Sequence, residues 1–211
     1  MTIRICVING KGGTGKTTVS THLAAAFALT GLQTLLVDLD RHRGATRWFK
    51  LRDNREGLEH TTWKNDFGYV APCVQRVVID CPASLRAGKV RDIVAESDVI
   101  VVPLLPSVFD QHATRLFLRR LGEIKKVRKG RKRVLVVANR LRGKSAAIGA
   151  LDAFVAELGH TPIARIADRS LYAALAARGQ SVFDAGSKAA RAAQAEWMPL
   201  IEAIEEARAD A

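Results

Sequence analysis

The chain has 211 residues, a length that fits one α/β domain with a substantial core. Apolar residues make up 48% of it, ordinary for a globular protein, and no run approaches the ~18 uninterrupted apolar residues of a membrane span. A formal net charge of +12 points toward an anionic partner, while Cys6, Cys73 and Cys81 lack the paired spacing of a zinc site or disulfide framework.

Met1 to Arg4 lead straight into the apolar run Ile3 to Ile8, which leaves no room for a signal peptide and predicts a cytoplasmic protein. Next comes Gly10-Lys11-Gly12-Gly13-Thr14-Gly15-Lys16-Thr17-Thr18, followed by a helical run from Val19 to Thr30 that Gly31 closes. Strand, glycine loop and helix carry the G-x-x-x-x-G-K-[ST] spacing intact. Glycines let the backbone curl until its N–H groups, from Gly12 to Thr18, converge on phosphate oxygens, and the loop ends at a helix N-terminus that favours an anion. Lys16 then reaches the β- and γ-phosphates of a nucleotide, and Thr17 offers its hydroxyl to Mg²⁺. Lys11 is not required by that general motif. A lysine there sits beside the phosphates but points away from its own pocket floor, toward a nucleotide held by a second subunit.

With Lys11 in place, the segment resembles the deviant Walker A family of ParA and MinD ATPases, whose hallmark is K-G-G-x-G-K-T. The resemblance implies an α/β P-loop NTPase fold: a mostly parallel twisted sheet with helices on both faces, in a single domain over residues 1–211. It implies ATP and Mg²⁺ as cofactors and a homodimer that forms on ATP. In that dimer each Lys11 neutralises phosphate charge in the opposite pocket, which places Lys11 with Lys16 among the catalytic residues.

Gln33 to Asp38 is a short apolar run of the kind buried in a parallel sheet. Asp38-Leu39-Asp40 then falls at the carboxyl end of that strand, the edge where open α/β sheets bind ligands. Two acids beside phosphates call for a cation between them; capping of the next helix is the plainer alternative. By resemblance, Asp40 orients or activates the attacking water and Asp38 stands in the metal's outer shell. The family commonly reads D-x-D-P-Q here, and Arg41-His42 in place of Pro-Gln bears on loop shape and hydrolysis rate. Gly44 to Leu51 predicts a short helix. Arg52 to Gln75 reads as a connection with one strand around Phe67 to Val70. Arg76 to Asp80 is an apolar run that delivers Asp80 to the magnesium in the Walker B manner. A helix over Leu85 to Ala95, a strand over Asp98 to Pro103 and a helix from Gln111 to about Lys129 follow, the last facing the sheet with Phe117, Leu121 and Ile124.

Between His112 and Ser145 stand thirteen Lys or Arg against one acid, Glu123, which accounts for the whole net charge. Arg115, Arg119, Arg120, Lys125, Lys126 and Lys129, continued by Arg142 and Lys144, predict a surface for non-specific DNA. A solvated helix face is the plainer reading, since no aromatic residues interleave to stack on bases. Val134 to Ala138 predicts a strand ending in Asn139-Arg140; the resemblance puts Asn139 at the adenine edge, with Arg140 beside it in the nucleotide site. Lys144 to Leu158 predicts a helix and Thr161 to Ile163 an abbreviated strand. Arg165 to Asp184 resembles the segment that closes over the base in small plasmid ParA proteins. The terminal helix, Ala189 to Ala209, is acidic, which argues against a MinD-like membrane cycle. Paired cysteines for a metallocluster enzyme are missing. The resemblance therefore implies a nucleoid-associated partition ATPase for a plasmid or chromosome, with slow Mg²⁺-dependent hydrolysis stimulated by a ParB-like or other cargo-adaptor protein. Positioning of a carboxysome or chemoreceptor cluster is the runner-up.

Overall fold

The computed structural model describes residues 1–63, 68–143 and 146–207. Its strands are β1 (Ile3–Val7), β2 (Thr34–Asp38), β3 (Leu58–Thr61), β4 (Arg76–Asp80), β5 (Val99–Leu104), β6 (Arg133–Leu141) and β7 (Pro162–Ala167). They form one sheet in the order β3-β2-β4-β1-β5-β6-β7, with every neighbouring pair parallel. The helices are α1 (Lys16–Leu29), α2 (Gly44–Leu51), α3 (Ala87–Glu96), α4 (Val108–Glu123), α5 (Lys125–Arg128), α6 (Ala146–Glu157), α7 (Ser170–Ala176) and α8 (Lys188–Glu206), with a 3₁₀ turn at Val182–Asp184.

Strands covered on both faces read as continuous apolar runs, and β4 and β5 are buried at every residue. The two-residue period then sorts their side chains between two cores. Ile3, Ile5, Val7, Val99 and Val101 pack with α1, α2, α7 and α8. Cys6, Ile8, Val77, Ile79, Ile100 and Val102 pack with α3, α4 and α6 on the other face. Helices therefore lie on both faces, and the sheet is wholly parallel.

Strand order places the site. From central β1 the chain moves outward to β2 and β3, returns to β4 between β2 and β1, and crosses to β5 on the far side. The carboxyl ends of β1, β2 and β4 consequently stand side by side, with Val7 opposite Asp80 and Asp80 opposite Asp38. That crevice is where an open parallel sheet takes a ligand.

Three expectations need correction. The strand in the 52–75 connection is Leu58–Thr61, not Phe67 to Val70. Gly68 to Val70 has no regular structure, and Phe67 lies outside the described residues. β3 is an edge strand in which only Leu58 is buried, so it has no apolar run to announce it. The long helix from Gln111 to Lys129 is broken at Ile124, whose ψ of 120° caps α4 and starts α5. Gly122 weakens that last turn, and an extended Ile124 can pack against the core on the α3–α4 face. Finally, β7 runs six residues rather than three.

The acids of α8 serve the fold. Glu205 grips the buried Arg76 through both carboxylate oxygens, Nε to Oε1 at 2.8 Å and Nη2 to Oε2, while Arg76 lies over the Phe27 ring at 5.7 Å. Glu196 accepts from the Ala167 amide at 2.9 Å and pairs with Arg169. Among the described residues no helix is long and apolar enough to cross a membrane.

Candidate nucleotide-binding site

β1 delivers the chain to the glycine loop, and side chains fix the loop's path. Asn9 donates to the Pro103 carbonyl at 2.9 Å and accepts from the Lys11 amide at 3.0 Å, while the Ser84 amide donates to the Gly10 carbonyl at 3.2 Å. Gly15 caps α1 with φ 90°, and a Cβ there would come within 2.2 Å of Asn139 Nδ2. Both the backbone angle and the space therefore require glycine at this position. Lys16, only 7% exposed, curls back so that its Nζ donates to the Lys11 carbonyl at 3.0 Å. Burial pulls its ammonium below the ordinary lysine range, with the Asp80 carboxylate working in the opposite direction.

Beneath the loop, Thr17 donates its hydroxyl to Asp80 Oδ2 at 2.8 Å, and Ser20 Oγ stands 3.1 Å from Oδ1. Asp80 is fully buried, and desolvation pushes its carboxyl up to about 7, with neighbouring Asp38 adding to the rise against the Thr17 and Ser20 hydrogen bonds. Asp38, equally buried, accepts from the Asp40 amide at 2.9 Å through Oδ1 and from the Thr46 amide and hydroxyl at 2.9 and 2.7 Å through Oδ2. The Thr46 hydroxyl spends its proton on Asp38, so His60 Nε2, 3.0 Å from the same oxygen, must be the donor in that contact. Asp40 lies at the pocket wall and accepts from the His42 amide at 2.9 Å.

The donor set suits magnesium. Two buried acids and a hydroxyl stand together at the mouth of a phosphate-type loop, and their mutual repulsion is what a hard cation would relieve. Among the described residues no three or more His, Cys, Asp and Glu side chains stand together as a metal cage. Magnesium is ordinarily held by one or two carboxylates together with substrate phosphates, which matches these oxygens.

Loop, acids and the far wall enclose a cavity of about 590 Å³. Gly12, Gly13, Gly15, Lys16, Thr17, Thr18 and Asp40 line one side; Ile166 to Arg169, Tyr172, Ala173 and Ala176 line the other, with Asn139 and Arg140 between. Asn139 is a structural part of the loop here: its Nδ2 donates to the Thr14 carbonyl at 2.9 Å, and its Oδ1 accepts from the Arg140 amide. Arg140 adopts φ 55°, and its Nε stands 3.5 Å from Asp168, which Arg142 also holds at 2.7 Å. The Arg142 hydrogen bond, with Arg140 beside it, keeps the Asp168 carboxyl below its usual range.

Lys11 is exposed. The predicted basic surface divides in two. α4 leaves the carboxyl end of β5 and runs back to the amino edge, so Arg119, Arg120, Lys125, Lys126 and Lys129 lead away from the nucleotide cavity. Nine residues of β6, roughly 26 Å of strand, then carry the chain past Arg140 in the cavity lining to Arg142, which pairs with Asp168. Arg115 is committed elsewhere, paired through both nitrogens with Glu157 at 2.6 and 2.7 Å and lying over Phe154. Lys144 lies outside the described residues.

Sequence reasoning missed Ser20, Thr46, Asp168 and Tyr172. Ser20 was within reach, because three residues beyond Thr17 is the same helix face. Thr46 gave no such cue, since its contact depends on how α2 docks.

Comparison with known proteins places this geometry. Residues 5–182 match the model for the CobQ/CobB/MinD/ParA nucleotide binding domain. The chain is 29% identical over 198 residues to the maintenance of carboxysome distribution protein A of Halothiobacillus neapolitanus, covering 90% of each. It is 47% identical over 57 residues to the chromosome-partitioning ATPase Soj of Thermus thermophilus, covering 27% of this chain and 22% of that one. The MinD cell division protein of Aquifex aeolicus superposes with a TM-score of 0.74 at 18% identity, over 97% of both chains, a likeness of fold. With the glycine loop, Asp38 and Asp80 assembled at the switch point of a parallel sheet, this chain belongs to the CobQ/CobB/MinD/ParA family of nucleotide-binding domains.

Proposed function

We propose that the chain is a Mg²⁺-dependent ATPase that pairs with a second copy on ATP and positions a cargo, using non-specific DNA as its support. The observation that carries this reading is the Thr17–Asp80 hydrogen bond set in register with Asp38 beneath the glycine loop. Bound Mg²⁺ would supply the positive charge that offsets the phosphates' negative charge. Thr17 and Asp80 would hold the ion, and Asp38 would orient groups around it through its bonds to Asp40 and Thr46. Lys16 would turn from the Lys11 carbonyl to the phosphates, and Asp40 would direct the attacking water. Lys11, exposed in the loop, would enter the pocket of the opposite copy.

For the cargo, similarity over 90% of the chain to a carboxysome distribution protein supports positioning of a large assembly through an adaptor protein. Partition of a plasmid or chromosome is the second reading, favoured by the local likeness to Soj. Phosphate release measured with Mg²⁺ and ATP tests the enzymatic core. Slow release that EDTA and Asp40→Ala abolish is expected, with nucleotide still bound by the variant; a wild-type chain that binds no Mg²⁺-ATP would overturn it.

A further inference from the structure

Arg52 stands where the sequence suggests only a loose connection, yet it is 3% exposed. Its Nη1 donates to the Gly179 carbonyl at 3.1 Å and to Asp184 Oδ2 at 2.9 Å, and its Nη2 donates to Asp184 Oδ1 at 2.7 Å. The guanidinium also lies 5.2 Å over the Trp48 ring, whose Nε1 donates to the Gln180 carbonyl at 3.1 Å. Burial acts to raise the Asp184 carboxyl, but hydrogen bonds from Arg52 and Ser181 outweigh it and hold it below the ordinary range. Gly179, at φ 65°, is pressed against this joint: a Cβ would lie 2.3 Å from the Arg52 amide nitrogen.

The other end of α2 is fixed just as firmly. Asp38 holds the Thr46 amide and hydroxyl, Arg43 Nη1 donates to the Asp38 carbonyl at 2.8 Å, and a Cβ on Gly44 would meet Thr17 Cγ2 at 3.1 Å. Helix α2, about 12 Å long, thus spans from the acids at the phosphate end to the segment following α7. Tyr172, Ala173 and Ala176 of α7 form the opposite wall of the nucleotide cavity.

We propose that Arg52 is a positioning residue: through α2 it ties the α7 wall to the Asp38–Thr46 end of the site, so that the placement of the wall against a nucleotide and the placement of the Asp38-to-Asp40 loop depend on each other. The inference rests on the cavity being a nucleotide site. A buried ion pair in a purely structural role can be exchanged for apolar groups at little cost. The test therefore compares wild type, Arg52→Lys, Thr46→Val and the double variant Arg52→Met/Asp184→Asn, in which the amide oxygen can still accept from the buried Ser181 amide. Three readouts are taken: urea midpoint, release of a fluorescent ATP analogue with Mg²⁺, and amide hydrogen exchange over residues 170–178 without nucleotide.

The double variant is expected to keep the wild-type midpoint and release nucleotide about tenfold faster, with Arg52→Lys in between. Thr46→Val, at the far end of α2, is expected to speed exchange over 170–178 in the wild-type background and to add nothing in the double variant. Unchanged release from the folded double variant, or unchanged exchange on Thr46→Val, would overturn the proposal. If the double variant does not fold, Arg52→Lys and Thr46→Val decide the question. If wild type binds no Mg²⁺-ATP, the functional reading falls, and exchange alone still tests the tie.

Discussion

Asp80 shows most plainly what the site is built to do. It is buried among a hydroxyl pair and a second acid, so its charge is costly until a cation arrives. Thr17→Ala removes the hydroxyl that Asp80 holds, and nucleotide affinity should fall by roughly 10- to 100-fold with Mg²⁺ present but little in EDTA; titration under both conditions checks this. Gly15→Ala should destabilise the loop by about 1–3 kcal/mol and abolish nucleotide binding, because φ 90° and the Asn139 amide both exclude a Cβ. His22 offers a separate prediction. Stacked on Trp197 with centroids 4.8 Å apart and fully buried, it is pulled down to about 4 by desolvation. Its folded value thus lies below the unfolded 6.5, so its contribution to stability is present above that value and lost as pH falls toward 4. The loss amounts to about 3 kcal/mol over the window. Urea midpoints at pH 7 and pH 5 should therefore converge in His22→Phe relative to wild type.

Among the elements, α8 is held by its apolar face on the core and by a pair with the buried Arg76. Arg76→Ala would strip Glu205 of its partner and take the contact from Phe27, and should cost about 3 kcal/mol in urea unfolding. The core strands were legible because a parallel strand buried on both faces is mostly apolar: β1, β2, β4 and β5 each show that run, and an acid marks the carboxyl end of β2 and β4. β3 was not legible, since Leu-Glu-His-Thr pairs through its backbone and buries one side chain. The glycine loop declared the phosphate end of the site through spacing alone. Its opposite wall was anticipated only through the resemblance that put Arg165 to Asp184 over the base, because the cavity reaches from Thr17 to Ala176 and no local pattern records which distant segments meet. Arg52 and Asp184, 132 positions apart, meet only once α2 and the 3₁₀ turn are docked on the same core.

At the scale of the molecule, the positive charge that looks continuous in sequence is carried to two edges of the sheet. The Arg119, Lys125 and Lys129 side should account for DNA attachment, since Arg142 already serves Asp168 and Arg115 serves Glu157. Replacing Lys125 and Lys129 with alanine should lower affinity for duplexes of any sequence and reduce the slope of log affinity against log salt by about 0.9 per lost phosphate contact, while Arg142→Ala leaves the slope unchanged. Filter retention over a salt series checks this. The central claim, that ATP draws two copies together because each supplies a cation to the other, is tested most directly by light scattering of wild type and Lys11→Ala with Mg²⁺-ATP. Wild type should double in mass, and Lys11→Ala should bind the nucleotide yet stay single; equal doubling of both proteins would contradict the account.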